Sequence, residues 1–162
     1  NKKLMRNILY LMLVFGVLFA SCEKEEDDNN NNNTTTTTTY TFSCKLEGTD
    51  FHDNPQGSVN SSDVLIIDAT YNTNTIRLTL SSFSQRVTGD IIQFSVPGMG
   101  VVTQDSITYS NTYNPPYDGT LNITELNAIE GTISATFEFR ANELENFQHV
   151  MVTEGKLDKV NF

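Results

Sequence analysis

The feature that most constrains the fold is a two-residue alternation of apolar and polar side chains, which recurs from residue 40 to the end of the chain. It is clearest over residues 132–140, where Ile133, Ala135, Phe137 and Phe139 alternate with threonine, serine, glutamate and arginine. Successive side chains of a β-strand point to opposite faces, so this period predicts strands with one buried and one solvated face. Similar segments occur at 41–47, 63–71, 75–83, 91–96, 120–126, 150–153 and 155–162.

Turn residues separate these segments at short intervals. Asn72-Thr73-Asn74 lies between two apolar segments and predicts a β-hairpin, and Pro115-Pro116 interrupts any ladder because proline donates no hydrogen bond. Only 141–147 is compatible with a short helical turn. The pattern predicts an all-β fold, an antiparallel β-sandwich or a partly open barrel of about eight or nine short strands.

Charge and cysteine content narrow the classes of function. The chain has 20 acidic and 10 basic residues, a net charge of −10. Such an acidic surface argues against nucleic-acid binding by electrostatics. Cys44 shares the parity of Phe42 and Leu46, which predicts a small buried residue rather than a nucleophile or a metal ligand.

The N-terminal region differs from the rest in composition. A basic start is followed by an apolar stretch at 8–19 and small residues, which predicts a signal peptide over 1–21. Residues 22–39 are acidic and then rich in asparagine and threonine, with no apolar residue after Cys22, and this composition predicts a disordered tether. One β domain is therefore expected over 40–162.

Two short motifs at this boundary resemble those of a known protein class. Phe19-Ala20-Ser21-Cys22 resembles a bacterial lipobox, which implies cleavage before Cys22 and its lipidation. The next residues resemble the export signal of Bacteroidetes surface lipoproteins: Glu23, Lys24, Glu25, Glu26, Asp27 and Asp28. The resemblance implies a palmitate-type lipid anchor in the outer membrane, with the domain facing the cell exterior. The alternative for the acidic residues alone is a solvated linker.

The order of strands in the domain is similar to that of small Bacteroidetes lipoproteins of uncharacterised function. The similarity rests on Gly131-Thr132-Ile133-Ser134-Ala135 and on the closing Val152-Thr153-Glu154-Gly155-Lys156-Leu157. Leu157 stands where those proteins usually have an aromatic residue. The resemblance implies no catalytic residues.

The candidate binding residues are three tyrosines. Tyr109, Tyr113 and Tyr117 recur in a segment rich in asparagine and proline, where exposed rings would contact a sugar or a protein. The alternative is that one or two of them plug the end of the fold. Asp105-Ser106-Ile107 also resembles a Bacteroidetes O-glycosylation acceptor, which implies a sugar on Ser106.

Catalytic and metal sites are not expected. Glu125, Glu130 and Glu138 lie on or near neighbouring strands, as a glycosidase pair would, but Glu138 has the outward parity of a solvated face. The polar cluster of Asp50, His52, Asp53 and Asn54 fits a turn better than a calcium loop. We therefore expect neither a metal nor a cofactor.

Together these observations predict an outer-membrane surface lipoprotein with a non-catalytic β domain. The domain would bind a glycan or a protein ligand, or act in assembly with an envelope protein, and the membrane is reached through Cys22. The alternatives are a surface-anchored hydrolase acting on glycans and a purely structural envelope protein.

Overall fold

The computed structural model describes residues 39–111, 118–143 and 148–162, and Thr38–Phe162 forms one compact unit. Apart from a short 3-10 helix at Phe83–Gln85, its regular elements are eleven strands. They are β1 (Phe42–Leu46), β2 (Thr49–Asp53), β3 (Gly57–Val59), β4 (Val64–Tyr71), β5 (Asn74–Ser81), β6 (Ile91–Gln93), β7 (Gly100–Gln104), β8 (Ile107–Ser110), β9 (Gly119–Asn127), β10 (Thr132–Asn142) and β11 (His149–Asn161). No helix in these described ranges is long and apolar enough to span a membrane.

The strands form a single curled antiparallel sheet. Nine of them follow the order β2-β1-β11-β10-β8-β7-β5-β4-β3, which makes a half-barrel. The predicted all-β fold is thus confirmed, and the partly open barrel is the form it takes. The expected hairpin is β4–β5, in which Tyr71 pairs with Asn74 around a turn where Asn72 has a φ of 55°.

The sheet forks at β10, because this long strand has two partners on one of its sides. Thr132 to Phe139 pair with β9, and Asn142 pairs with Ser110 of β8. The short β6 pairs with the far side of β9. Therefore β11, β10 and β9 lie side by side, and their outward side chains form one continuous surface.

The end of the chain forms one bulged strand, where two strands were expected at 150–153 and 155–162. The β10–β11 register shifts between Ile133 and Ala135 and again between Phe137 and Phe139. Each shift inserts an extra residue in β11, and Glu154 and Lys159 take φ values of 54° and 52° there. Such bulges bend and twist a strand, which lets β11 curl with the barrel while its apolar residues stay inward.

The core fills the concave side of the sheet. Phenylalanine rings of β10 occupy the space left by glycines on two other strands. Phe137 pairs directly with Gly155 of β11. A Cβ atom on Gly100 would lie 2.7 Å from Cδ2 of Phe139. Cys44 is buried among these apolar side chains, as expected.

One local expectation was wrong. Residues 49–53 form β2 rather than a turn, because they pair with β1 along their whole length. Their polar side chains still bond to backbone as turn residues do: Asp53 accepts from the Thr70 amide at 2.6 Å, which links β2 to β4. Ala141 and Asn142, at the start of the stretch compatible with a helical turn, continue β10, and 144–147 lie outside the described residues.

Candidate functional site

The candidate site is a groove on the outer face of β9, β10 and β11. Two adjoining clefts of about 390 and 460 Å³ lie along these strands and share Thr120 and Glu138. We call their combined lining the outer groove. It comprises Asp118, Gly119, Thr120, Asn122, Thr136, Phe137, Glu138, Phe139, Arg140, Met151, Thr153, Glu154, Gly155 and Lys156.

The alternation of β10 decides which of its side chains project into the groove. Phe137 and Phe139 are buried on the concave side, so Thr136, Glu138 and Arg140 project outward between them. Four residues of strand separate Thr136 from Arg140, which gives the groove a length of roughly 13 Å along β10. An extended chain rises about 3.3 Å per residue, so about four residues of a ligand would fit along it.

A partly buried ion pair forms one end of the outer groove. An Nη2 atom of Arg140 lies 2.8 Å from Oδ1 of Asp118, and the Asp118 side chain is only 2 % exposed whereas that of Arg140 is 47 % exposed. The Arg140 amide also donates to the Asp118 carbonyl oxygen at 2.6 Å. These contacts hold Arg140 next to Asp118 and leave part of its side chain open to solvent.

The other cations beside the groove also have carboxylate partners. Nζ of Lys156 lies 3.0 Å from Asp158, and Nζ of Lys45 lies 2.9 Å from Glu154. Glu138 differs, since its exposed carboxylate makes no hydrogen bond or ion pair with any residue that the structure describes. The centre of the groove therefore carries one uncompensated negative charge.

The structure corrects one of the predicted contact residues. Tyr109 is 6 % exposed and packs in the core, because its position in β8 has the inward parity. It therefore offers no exposed ring for stacking. Tyr113 and Tyr117 lie outside the described residues, as do Cys22 and the predicted export signal at 23–28.

Ser106 lies in the exposed turn between β7 and β8. It and Asp105 have positive φ values of 70° and 50°. The position is accessible, and glycosylation there stays a prediction.

Two of the glutamates considered for glycoside hydrolysis, Glu125 and Glu138, do not converge. Glu125 pairs with Ser134, four residues from Glu138 along β10, so their backbones are roughly 13 Å apart along the strand. A glycosidase pair needs carboxyl groups about 5 to 10 Å apart. Glu130 lies in the turn between β9 and β10.

The buried Cys44 thiol is a poor nucleophile. Burial raises the pKa of the Cys44 thiol to about 12, so the thiolate that a nucleophile requires is scarce at neutral pH. No group of three or more histidine, cysteine, aspartate or glutamate side chains capable of holding a metal occurs within the described ranges.

Sequence reasoning missed an aromatic stack at the seam of the half-barrel. The His52 ring centroid lies 4.1 Å from that of Tyr40 and 4.4 Å from that of Tyr71. These rings lie on separate parts of the chain, and His52 was placed in a turn, so no sequence period brings them together. Since β2 and β4 are joined there by the Asp53–Thr70 hydrogen bond, the stack packs the open seam.

Comparison with known proteins gives a family and little else. Residues 52–161 match the model of a family described as a domain of unknown function. No curated protein matches the chain, and no solved structure does. The matched range includes every strand of the outer groove.

Proposed function

The chain belongs to the DUF6252 family, described as a domain of unknown function, and we propose that it is a lipid-anchored surface protein whose β domain is a non-catalytic binding module. The ligand, a glycan or a protein of the envelope, would be held in the outer groove. The observation that carries this proposal is the continuity of two clefts across three strands.

The lining of the outer groove supports a role in binding. Hydroxyl and amide groups from Thr120, Asn122, Thr136 and Thr153 can each donate and accept hydrogen bonds. They stand on paired strands rather than on a loop, so they are held in place before a ligand arrives, which reduces the entropy lost on binding.

The lipid anchor rests on the lipobox resemblance at residues 19–22. A single Cys22→Ser change removes the sulfur that would carry the lipid. In cells fed labelled palmitate, we expect the unchanged protein to take up label and the variant to take up none, and we expect the unchanged protein to be cut by protease added to intact cells. An unchanged protein without label would refute the anchor, and protection from protease would refute the outward orientation.

The binding role is tested by filling the groove. The purified full chain is screened against a glycan panel, a peptide library and envelope extract. The variant Thr136→Trp places an indole in the second cleft, whereas Thr124→Trp puts the same bulk on an exposed threonine of β9 outside the groove.

Binding that is lost with Thr136→Trp and kept with Thr124→Trp supports a recognition module with the groove as its face. Circular dichroism controls for folding of both variants. Binding that both variants retain would refute the groove as the contact surface. No binding to any member of the three collections would refute the binding role and favour a structural one.

A further inference from the structure

The charges along the outer groove point to the chemistry of its ligand. The three cations on or beside it, Lys45, Arg140 and Lys156, each have a carboxylate partner within 3.0 Å. Their partners Glu154, Asp118 and Asp158 balance them one for one. Glu138 remains, and it lines both clefts, so its charge lies where a ligand in either one would pass.

A carboxylate in this position favours a cationic partner. Hydrogen bonds between an ammonium or guanidinium group and a carboxylate are about twice as strong as neutral ones. The chain's net charge of −10 adds a long-range field that attracts cations and repels acidic ligands. A ligand with a lysine or arginine side chain therefore gains from both terms.

The shape and lining favour an extended chain over a sugar. The two phenylalanines that line the groove, Phe137 and Phe139, are 4 % and 2 % exposed, so the described lining offers no open ring face. Flat aromatic surface is the usual lining of small-ligand pockets. Threonine and asparagine side chains instead suit the alternating N–H and C=O groups of a peptide backbone.

We infer that the ligand of the outer groove is an extended peptide segment of another protein, with a lysine or arginine side chain placed against Glu138. The inference rests on the proposed binding function and specifies its ligand class. Thr120 lies directly across from Glu138, so peptide residues next to the cation would lie over Asn122 and Thr136 on one side and toward Arg140 and Met151 on the other.

A random octapeptide display library, selected on the purified full chain, tests this directly. Enriched peptides are resynthesised with and without norleucine in place of each lysine or arginine, and their affinities are measured by titration calorimetry. The protein variants are Glu138→Gln, which removes the charge and keeps the shape, and Glu125→Gln, an exposed glutamate of β9 outside the groove as the matched control.

The expected result is enrichment of peptides with a central lysine or arginine. Norleucine replacement and Glu138→Gln should each weaken binding about tenfold or more, since each removes one partner of a charge-assisted hydrogen bond. Glu125→Gln should change affinity less than about twofold, as is usual for a surface charge away from the contact.

Two results would overturn the inference. Enriched peptides without a cation, unaffected by Glu138→Gln, would refute the charge pairing, and failure to enrich any peptide would refute the peptide class. If a glycan then bound and Thr136→Trp blocked it, the proposed binding function would stand without this inference. If nothing bound in a way that Thr136→Trp blocks, both would fail.

Discussion

Replacing Asn111 with alanine should cost more stability than any other single truncation of a polar side chain in the described fold. Asn111 is fully buried beside the end of β8. Its Oδ1 accepts from the Gly100 amide at 2.9 Å, and its Nδ2 donates to the carbonyl oxygens of Phe94 and Val96 at 3.2 and 2.8 Å. One side chain thus links β8 to the segment between β6 and β7.

The magnitude follows from the groups left behind. Each buried backbone group that loses its partner costs about 1–3 kcal/mol, and the Gly100 amide and the Phe94 carbonyl are such groups. The Val96 carbonyl is only partly buried and adds less, so we expect a total loss of about 3–5 kcal/mol. With a urea dependence of about 2 kcal/mol per molar, the midpoint should fall by about 2 M. The loss would be a large part of the stability of an ordinary domain.

The assay is equilibrium urea unfolding of the full chain, followed by far-ultraviolet circular dichroism. Asn127→Ala is the matched control, because Asn127 caps the exposed amides of Ile129 and Glu130 and its loss should cost about 1 kcal/mol. Asn111→Asp keeps an acceptor for Gly100 but places a carboxylate against two carbonyl oxygens, so it should destabilise at least as much as alanine. A midpoint for Asn111→Ala equal to that of Asn127→Ala would refute the reasoning.

Three further predictions concern the core and the surface. Cys44 should react with thiol reagents at pH 8 about a thousandfold more slowly than an exposed cysteine, measured on the Cys22→Ser chain, because burial raises its pKa from 9.0 to about 12. The contribution of that thiol to the free energy of unfolding should be fully present below pH 9.0 and should be lost as the pH rises toward 12, since the thiol ionises first in the unfolded chain. A thiol contribution that does not change over this pH range would contradict its burial. Gly155→Ala should cost about 1–3 kcal/mol in urea unfolding, because the new methyl carbon would lie 2.5 Å from the Phe137 ring, and unchanged stability would show that the strands can separate there. Arg77→Ala should cost less than about 1 kcal/mol, because its pair with Asp68 is exposed, and a larger loss would reveal a packing role.

Strand periodicity predicted the parts of the fold whose two faces differ strongly. The alternation at 132–140 identified β10 and its inward residues, and the asparagine turn identified the β4–β5 hairpin. Such local patterns can be recognised because a strand with one buried face has an apolar residue at every second position. By the same logic Cys44 was correctly placed in the core.

The errors come from structure that depends on partners distant in the chain. β2 is rich in aspartate and histidine, so it has turn-like composition, yet pairing with β1 makes it a strand. The bulges at Glu154 and Lys159 interrupt the two-residue period of β11, so this one strand resembled two in the sequence. Recognising the bulges required the register of β11 against β10. Tyr109 was judged by its polar neighbours, whereas its parity within β8 turns it inward.

The outer groove could be predicted from the sequence only in part. The sequence predicted that Glu138 faces outward. It did not predict that Glu138 lacks a cationic partner among the residues that the structure describes, because that depends on which carboxylates pair with Lys45, Arg140 and Lys156. Asp118 and Arg140 are 22 residues apart in the chain, and Lys45 and Glu154 are 109 apart. Those pairings are set by the strand order, which no local pattern specifies.

The most direct test of the outer groove is amide chemical-shift mapping. Isotope-labelled full chain carrying Cys22→Ser would be titrated with the tightest peptide from the octapeptide selection. We predict that the largest shifts cluster at Thr120, Thr136, Glu138 and Thr153. Shifts that cluster instead at the stack of Tyr40, His52 and Tyr71 would contradict the groove as the site of recognition.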